Sequence, residues 1–164
     1  MDRLMPLAEA IAARLIARKE TVSVAEGSAG GLISAALLAV PGASGYFVGG
    51  GVIYTAAARN ALLGMSGADM SGIRAATEAY AALLAKRMRE KLATTWGLAE
   101  AGAAGPTGNR YGDPAGHSCI AVSGPMEQAI VLRTGLSDRR ANMEAFALRA
   151  LTLLDEVVTR GDKS

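Results

Sequence analysis

The chain has 164 residues, 51% of them hydrophobic and 20% charged, with a formal net charge of +2. That composition excludes a disordered chain and suits one compact domain over 1–164. The weak, sign-mixed charge excludes a nucleic-acid surface, and the single cysteine, Cys119, excludes an intramolecular disulfide framework.

In chain order, Leu4, Leu7, Ala8, Ile11 and Leu15 recur at helical spacing, which predicts an amphipathic helix over 4–18. This start is too interrupted by charge for a secretory leader, so a soluble, cytoplasmic protein is expected. TVSVAE (21–26) reads as a short buried strand, running through GSAGG (27–31) into a helix that ends at Pro41-Gly42. The apolar stretch around 31–40 is far short of the roughly 20 residues that span a bilayer, so no membrane partner is expected.

A second strand is predicted over 50–55, then a short helix from Ala56 to Leu63 closed by Gly64. Thr77, with Glu78 in the first turn, marks the N-cap of a helix running to about Thr94. A third strand over 97–102 leads into the loop GAAGPTGNRYGDPAG. HSCIAVSG and MEQAIVLRTG follow as two strands joined by a hairpin at Ser123-Gly124-Pro125, and a last helix covers about 138–159. Strands alternating with helices, plus one terminal hairpin, predict a three-layer α/β/α sandwich around a mixed, mostly parallel sheet.

Three glycine-rich segments, 27–31, 42–51 and 102–112, each adjoin a predicted strand. Ligands of open α/β sheets bind beyond the carboxyl ends of the strands, and a helix opened by such a loop offers N–H donors to an anion. The pattern is neither a Walker A loop nor a full GxGxxG, and such glycines also serve packing and turns. Glu26 is either an acid bonded to loop amides or a solvated strand end. His117 and Cys119 alternate on one strand, too few for a metal site, and read as structural. No metal and no cofactor is expected.

Taken in order, these stretches resemble the CinA C-terminal domain family, whose best-known members are nicotinamide mononucleotide deamidases. The family's A-E-S-C-T-G-G stands here as Ala25-Glu26-Gly27-Ser28-Ala29-Gly30-Gly31. Its P-G-S-S followed by Y-S and a lysine stands as Pro41-Gly42-Ala43-Ser44, Tyr54-Thr55 and Arg59. Its Ser/Thr-Gly-Ile-Ala-Gly-Pro run ending in Lys-Pro-Val-Gly stands as Ala101 to Pro106 and Asp113 to Gly116, and Arg140 falls near a family arginine.

The resemblance implies hydrolysis of the carboxamide of nicotinamide mononucleotide by a homo-oligomeric enzyme. Ser44 is then the nucleophile, Tyr54 the proton relay, and Arg59 stands in place of the lysine. Glu26, Gly27, Ser28, Gly30, Gly31, Ala101, Gly105, Thr107 and Gly108 would line the substrate. A serine hydroxyl needs a base to accept its proton, and a guanidinium, always charged, cannot be that base. Losing a general base costs on the order of 100- to 10,000-fold in rate. Ala101 and Ala29 lack family hydroxyls, and Asp113 puts a negative charge where the family has a lysine. Two readings stay open: a hydrolase in which Tyr54 takes the proton, and a non-catalytic or re-purposed paralogue that binds a nucleotide or a protein. Beside both stand plain structural roles, with Ser44 a turn cap, Tyr54 a strand residue and Arg59 a solvated helix residue.

Overall fold

The computed structural model describes residues 1–161. The elements run α1 (Met5–Arg18), β1 (Val22–Glu26), α2 (Leu32–Leu38), β2 (Phe47–Val52), α3 (Ala56–Leu63), α4 (Glu78–Leu92), β3 (Trp96–Ala103), β4 (His117–Ser123), β5 (Gln128–Arg133) and α5 (Arg139–Gly161). The five strands form one sheet in the order β2-β1-β3-β4-β5. β1 pairs in parallel with β2 and β3, whereas β4 is antiparallel to both of its neighbours. Four strands therefore point one way and β4 alone reverses.

Two cores account for the three layers. Leu4 just ahead of α1, Ile11 and Leu15 of α1, Ile33 and Leu37 of α2, and Phe146, Leu151 and Leu154 of α5 bury one face of the sheet with Val22, Val24, Leu98 and Ile120. On the other face, Tyr80, Leu84 and Met88 of α4 and Leu63 of α3 cover Ala25, Ala99, Cys119 and Ala121. The alanine side chains of that second face bring α4 unusually close. At Gly97 an added Cβ would collide with the Ala85 carbonyl oxygen of α4. Gly97→Ala is therefore expected to cost about 1–3 kcal/mol, because the backbone it meets cannot rotate away. A urea unfolding curve measures it, and an unchanged midpoint would contradict this close helix–strand contact.

The predicted elements are found with shifted ends. Thr77 caps α4 by accepting the Tyr80 N–H at 3.2 Å, and Gly64 closes α3 at φ 62°. The helix expected to reach Pro41 stops at Leu38: Pro41 has no N–H for the Leu37 carbonyl, which accepts the Tyr46 hydroxyl instead. The second strand spans 47–52 and not 50–55, because Thr55 turns away to cap α3, accepting the Ala58 N–H at 3.1 Å. No helix of the described residues is long and apolar enough to cross a membrane.

Candidate functional site

Glu26 and Glu100 sit side by side on the parallel strands β1 and β3, and both are fully buried. Glu26 accepts the N–H groups of Gly31, Ile33 and Ser34 at 2.8, 3.1 and 2.8 Å, and the Ser34 hydroxyl at 2.7 Å. The donors that open α2 are thus already taken by a carboxylate of the chain itself. They do not remain free for an anion, and the Glu26 carboxylate is engaged in holding the loop. Gly31 takes a left-handed φ of 101°, and a Cβ at Gly30 would press on the Met143 methyl, so both glycines serve the turn and its packing against α5.

Glu100 secures the preceding residues. It accepts the Ser28 hydroxyl at 2.6 Å, the Ser118 hydroxyl at 2.8 Å, and the N–H groups of Ala29 and Gly27 at 2.8 and 3.2 Å. Burial pushes the Glu100 carboxyl above the usual carboxylate range; Glu26 adds to that rise, and the Ser28 and Ala29 donors oppose it.

Beyond the carboxyl ends of β1, β2 and β3 lies a cleft of about 140 Å³. Gly27, Ser28, Tyr54 and Ala101 line it, together with Tyr80, Asn109 and Tyr111. Tyr54 is 59% exposed at the rim and accepts a hydrogen bond from Arg139 at 3.0 Å. The same guanidinium donates to the Gly105 carbonyl at 2.6 Å, tying the rim to the 104–116 loop. Tyr111 has two guanidinium groups against its ring, Arg74 at 4.8 Å and Arg110 at 5.2 Å from its centroid. The mouth is thus aromatic and positively charged.

Asp113 anchors this loop. It accepts Arg74 at 2.7 Å and the Asn109 amide at 2.8 Å, and the Arg74 guanidinium holds its carboxyl down at about 2. Its negative charge is directed into these partners and not into the cleft. His117 donates from Nε2 to the Ala76 carbonyl at 2.8 Å, and burial pushes the neighbouring Cys119 thiol up to about 11. Neither residue lines the cleft.

Ser44 does not join the cleft residues. It lies in a single 3₁₀ turn, Ala43–Gly45, ahead of β2, at the end of the sheet where the Tyr46 carbonyl accepts the Val22 N–H. Tyr54 follows the opposite end of β2. Six strand residues put the two about 20 Å apart, so they share no pocket within one chain. Arg59 stands behind the cleft wall on α3, 5.9 Å from the Tyr80 ring, with a buried Nε that has no partner among the described residues. Thr107 and Gly108 are exposed on the outer loop, and Asn109 and Tyr111 of the same loop take the cleft positions expected of them. The sequence reading also missed Glu100 and Arg139. Glu100 carried a signal, a lone acid inside an otherwise apolar strand two residues before a glycine, while Glu26 ends its strand directly before one. Arg139 is one residue from the arginine that the resemblance singled out.

These features define an α/β/α domain with a small cleft at the carboxyl edge of its parallel strands. The sequence model of the CinA C-terminal domain matches residues 4–158. A CinA-like protein of Gloeobacter violaceus is 40% identical over 130 residues, covering 79% of this chain and 30% of the relative. One from Anaeromyxobacter sp. (strain Fw109-5) is 38% identical over 144 residues, covering 88% and 35%. The competence/damage inducible protein CihA from Agrobacterium tumefaciens superposes with a TM-score of 0.87 at 26% identity, covering 94% of this chain and 95% of that one. A CinA superfamily protein from Escherichia coli gives 0.86 at 26% identity, covering 93% and 90%. The chain belongs to the CinA C-terminal domain family, and it spans about a third of the length of the curated relatives it matches.

Proposed function

We propose that this domain binds a mononucleotide of the nicotinamide type at the cleft without hydrolysing its amide through Ser44. One observation carries the reading: the cleft holds Tyr54 but not Ser44, which lies at the far end of β2. At the third position of the first motif, where the family pattern has serine, this chain has Gly27. A space of about 140 Å³ suits one planar ring, with the ribose phosphate left to the rim near Arg139, Arg110 and Arg74.

A second reading, retained amide hydrolysis, is favoured by Ser28. Ser28 lines the cleft, and its hydroxyl donates at 2.6 Å to a buried carboxylate whose proton affinity is raised by burial, the pairing of a nucleophile and its base. In that case Glu100 takes the Ser28 proton as the oxygen attacks the carboxamide carbon, the proton passes to the departing ammonia as the C–N bond breaks, and water then hydrolyses the Ser28 ester, giving the carboxylic acid and the free serine.

Ammonia release from nicotinamide mononucleotide separates the two, measured on the wild type, Ser44→Ala and Ser28→Ala alongside a thermal-shift series. The expected result is no turnover and a rise in melting temperature with the mononucleotide. Turnover lost in Ser28→Ala but kept in Ser44→Ala would establish the second reading. Turnover lost in Ser44→Ala would overturn the first. No shift with any mononucleotide would reject the ligand class.

A further inference from the structure

The sheet has two outer edges, and they are built differently. β2 reads Phe-Val-Gly-Gly-Gly-Val, a glycine-weakened strand that has little to offer a partner. β5 reads Gln-Ala-Ile-Val-Leu-Arg, six residues with no proline, no glycine and no inward charge. Among the described residues, nothing pairs with its outer edge. Natural edge strands of this kind are blunted or are used.

The backbone of β5 shows which groups face outward. The Thr134 N–H donates to the Gly116 carbonyl at 3.1 Å, and the register pairs His117 with Arg133. In an antiparallel ladder bonded and non-bonded pairs alternate, so Arg133, Val131 and Ala129 direct their N–H and C=O groups away from β4. The side chains of the same residues lie on the α4 side of the sheet, since Ile130 and Leu132 pack into the opposite core. There a trough of about 450 Å³ runs between β5 and α4, lined by Ile73, Ala82, Leu83 and Ala129, while Val131 is 45% exposed beyond it.

We propose that β5 is a dimer interface that pairs antiparallel with β5 of a second copy, about a two-fold axis through Ile130 perpendicular to the sheet. The choice of a second copy rests on charge complementarity in the permitted register. A face-preserving two-fold pairs residues of like parity, and centring it on Ile130 sets Ala129 opposite Val131 and Glu127 opposite Arg133. Glu127 and Arg133 are both exposed, and Arg133 has no ion-pair partner among the described residues. The symmetry forms this ion pair twice on the α4 side. Val131 of each copy meets Ala129 of the other beside the trough, and two five-stranded sheets become one of ten strands.

Sedimentation velocity on four samples tests this: wild type, Glu127→Arg, Arg133→Glu and an equimolar mixture of the two variants, each checked for folding by circular dichroism. The wild type is expected to be a dimer. Each variant alone sets like charges opposite each other twice, and its dimer is expected to weaken roughly 10- to 100-fold. The mixture restores both ion pairs as a heterodimer and is expected to recover wild-type association. A monomeric wild type at high concentration, a dimer indifferent to both variants, or a mixture that fails to re-associate would each overturn the interface. Capture of the trough by another protein while the wild type stays monomeric would do the same.

Discussion

Glu26→Ala is expected to lower the stability of the domain by about 3–5 kcal/mol, the range for removing one partner of a buried charged cluster. At this chain length that is a drop of about 10 °C in melting temperature. The size follows from what the carboxylate holds. Three N–H groups at the start of α2 and the Ser34 hydroxyl all point at it, and none reaches another acceptor once it is gone. Water cannot replace it easily, because Glu26 is fully buried. Glu26→Gln should fall between the two, since its amide nitrogen presents donors to the donors already there. Calorimetry checks the magnitude and hydrogen exchange at Gly31, Ile33 and Ser34 checks the place. Fast exchange confined to those amides would confirm the clasp, and an unchanged melting temperature would contradict it. The loss should also abolish any mononucleotide-induced shift, because Gly27 and Ser28 hang from the same loop.

The second large effect concerns the 104–116 loop. Asp113→Ala removes the acceptor for Arg74 and Asn109 together, and Arg74 then loses the anchor that sets it against Tyr111. The expected outcome is a fall of about 3 °C in melting temperature, modest because Arg74 is partly exposed, with a larger loss of ligand binding. The same pair sets an acid limit. The Asp113 carboxyl is held down at about 2, below the ordinary value of 3.8 that it regains when unfolded. The folded state therefore binds this proton less readily than the unfolded one, so the contribution is complete above about pH 4. It is lost as pH falls from there toward 2. Melting temperatures of wild type and Asp113→Ala measured from pH 6 to pH 2 should converge at the acid end. A gap that stays constant across that range would exclude the ion pair as its source.

The nature of the fold was readable because its signals are local. Thr77 is a helix cap in any context, Gly64 closes α3 by its left-handed conformation, and Ser123-Gly124-Pro125 can only turn. Alternation of apolar strand and amphipathic helix then leaves few layer arrangements. Family membership was readable for a related reason: its motifs are runs of glycine, proline and short side chains whose order survives in the chain.

The site was readable only in part. Gly27, Ser28, Tyr54 and Ala101 share the carboxyl edge because each follows or ends a parallel strand. Ser44 was joined to Tyr54 by the family resemblance and the spacing of its second motif. Spacing does not say whether the intervening residues turn back or run straight, and β2 runs straight between them. Arg139 reaches the Tyr54 hydroxyl at the rim from α5, and Tyr111 reaches the cleft from a distant loop, 85 and 57 positions after Tyr54, with no periodicity linking them to it.

The sequence by itself determined the elements, the layer order and the kinship, since these depend on propensities and patterns within a few residues. Only the tertiary structure decided that Ser28 and Tyr54 line the cleft and Ser44 does not, that the α2 amides are already spent on Glu26, and that Asp113 answers Arg74. Those outcomes depend on strand register and on side chains meeting across the sheet, distances that a linear chain does not contain.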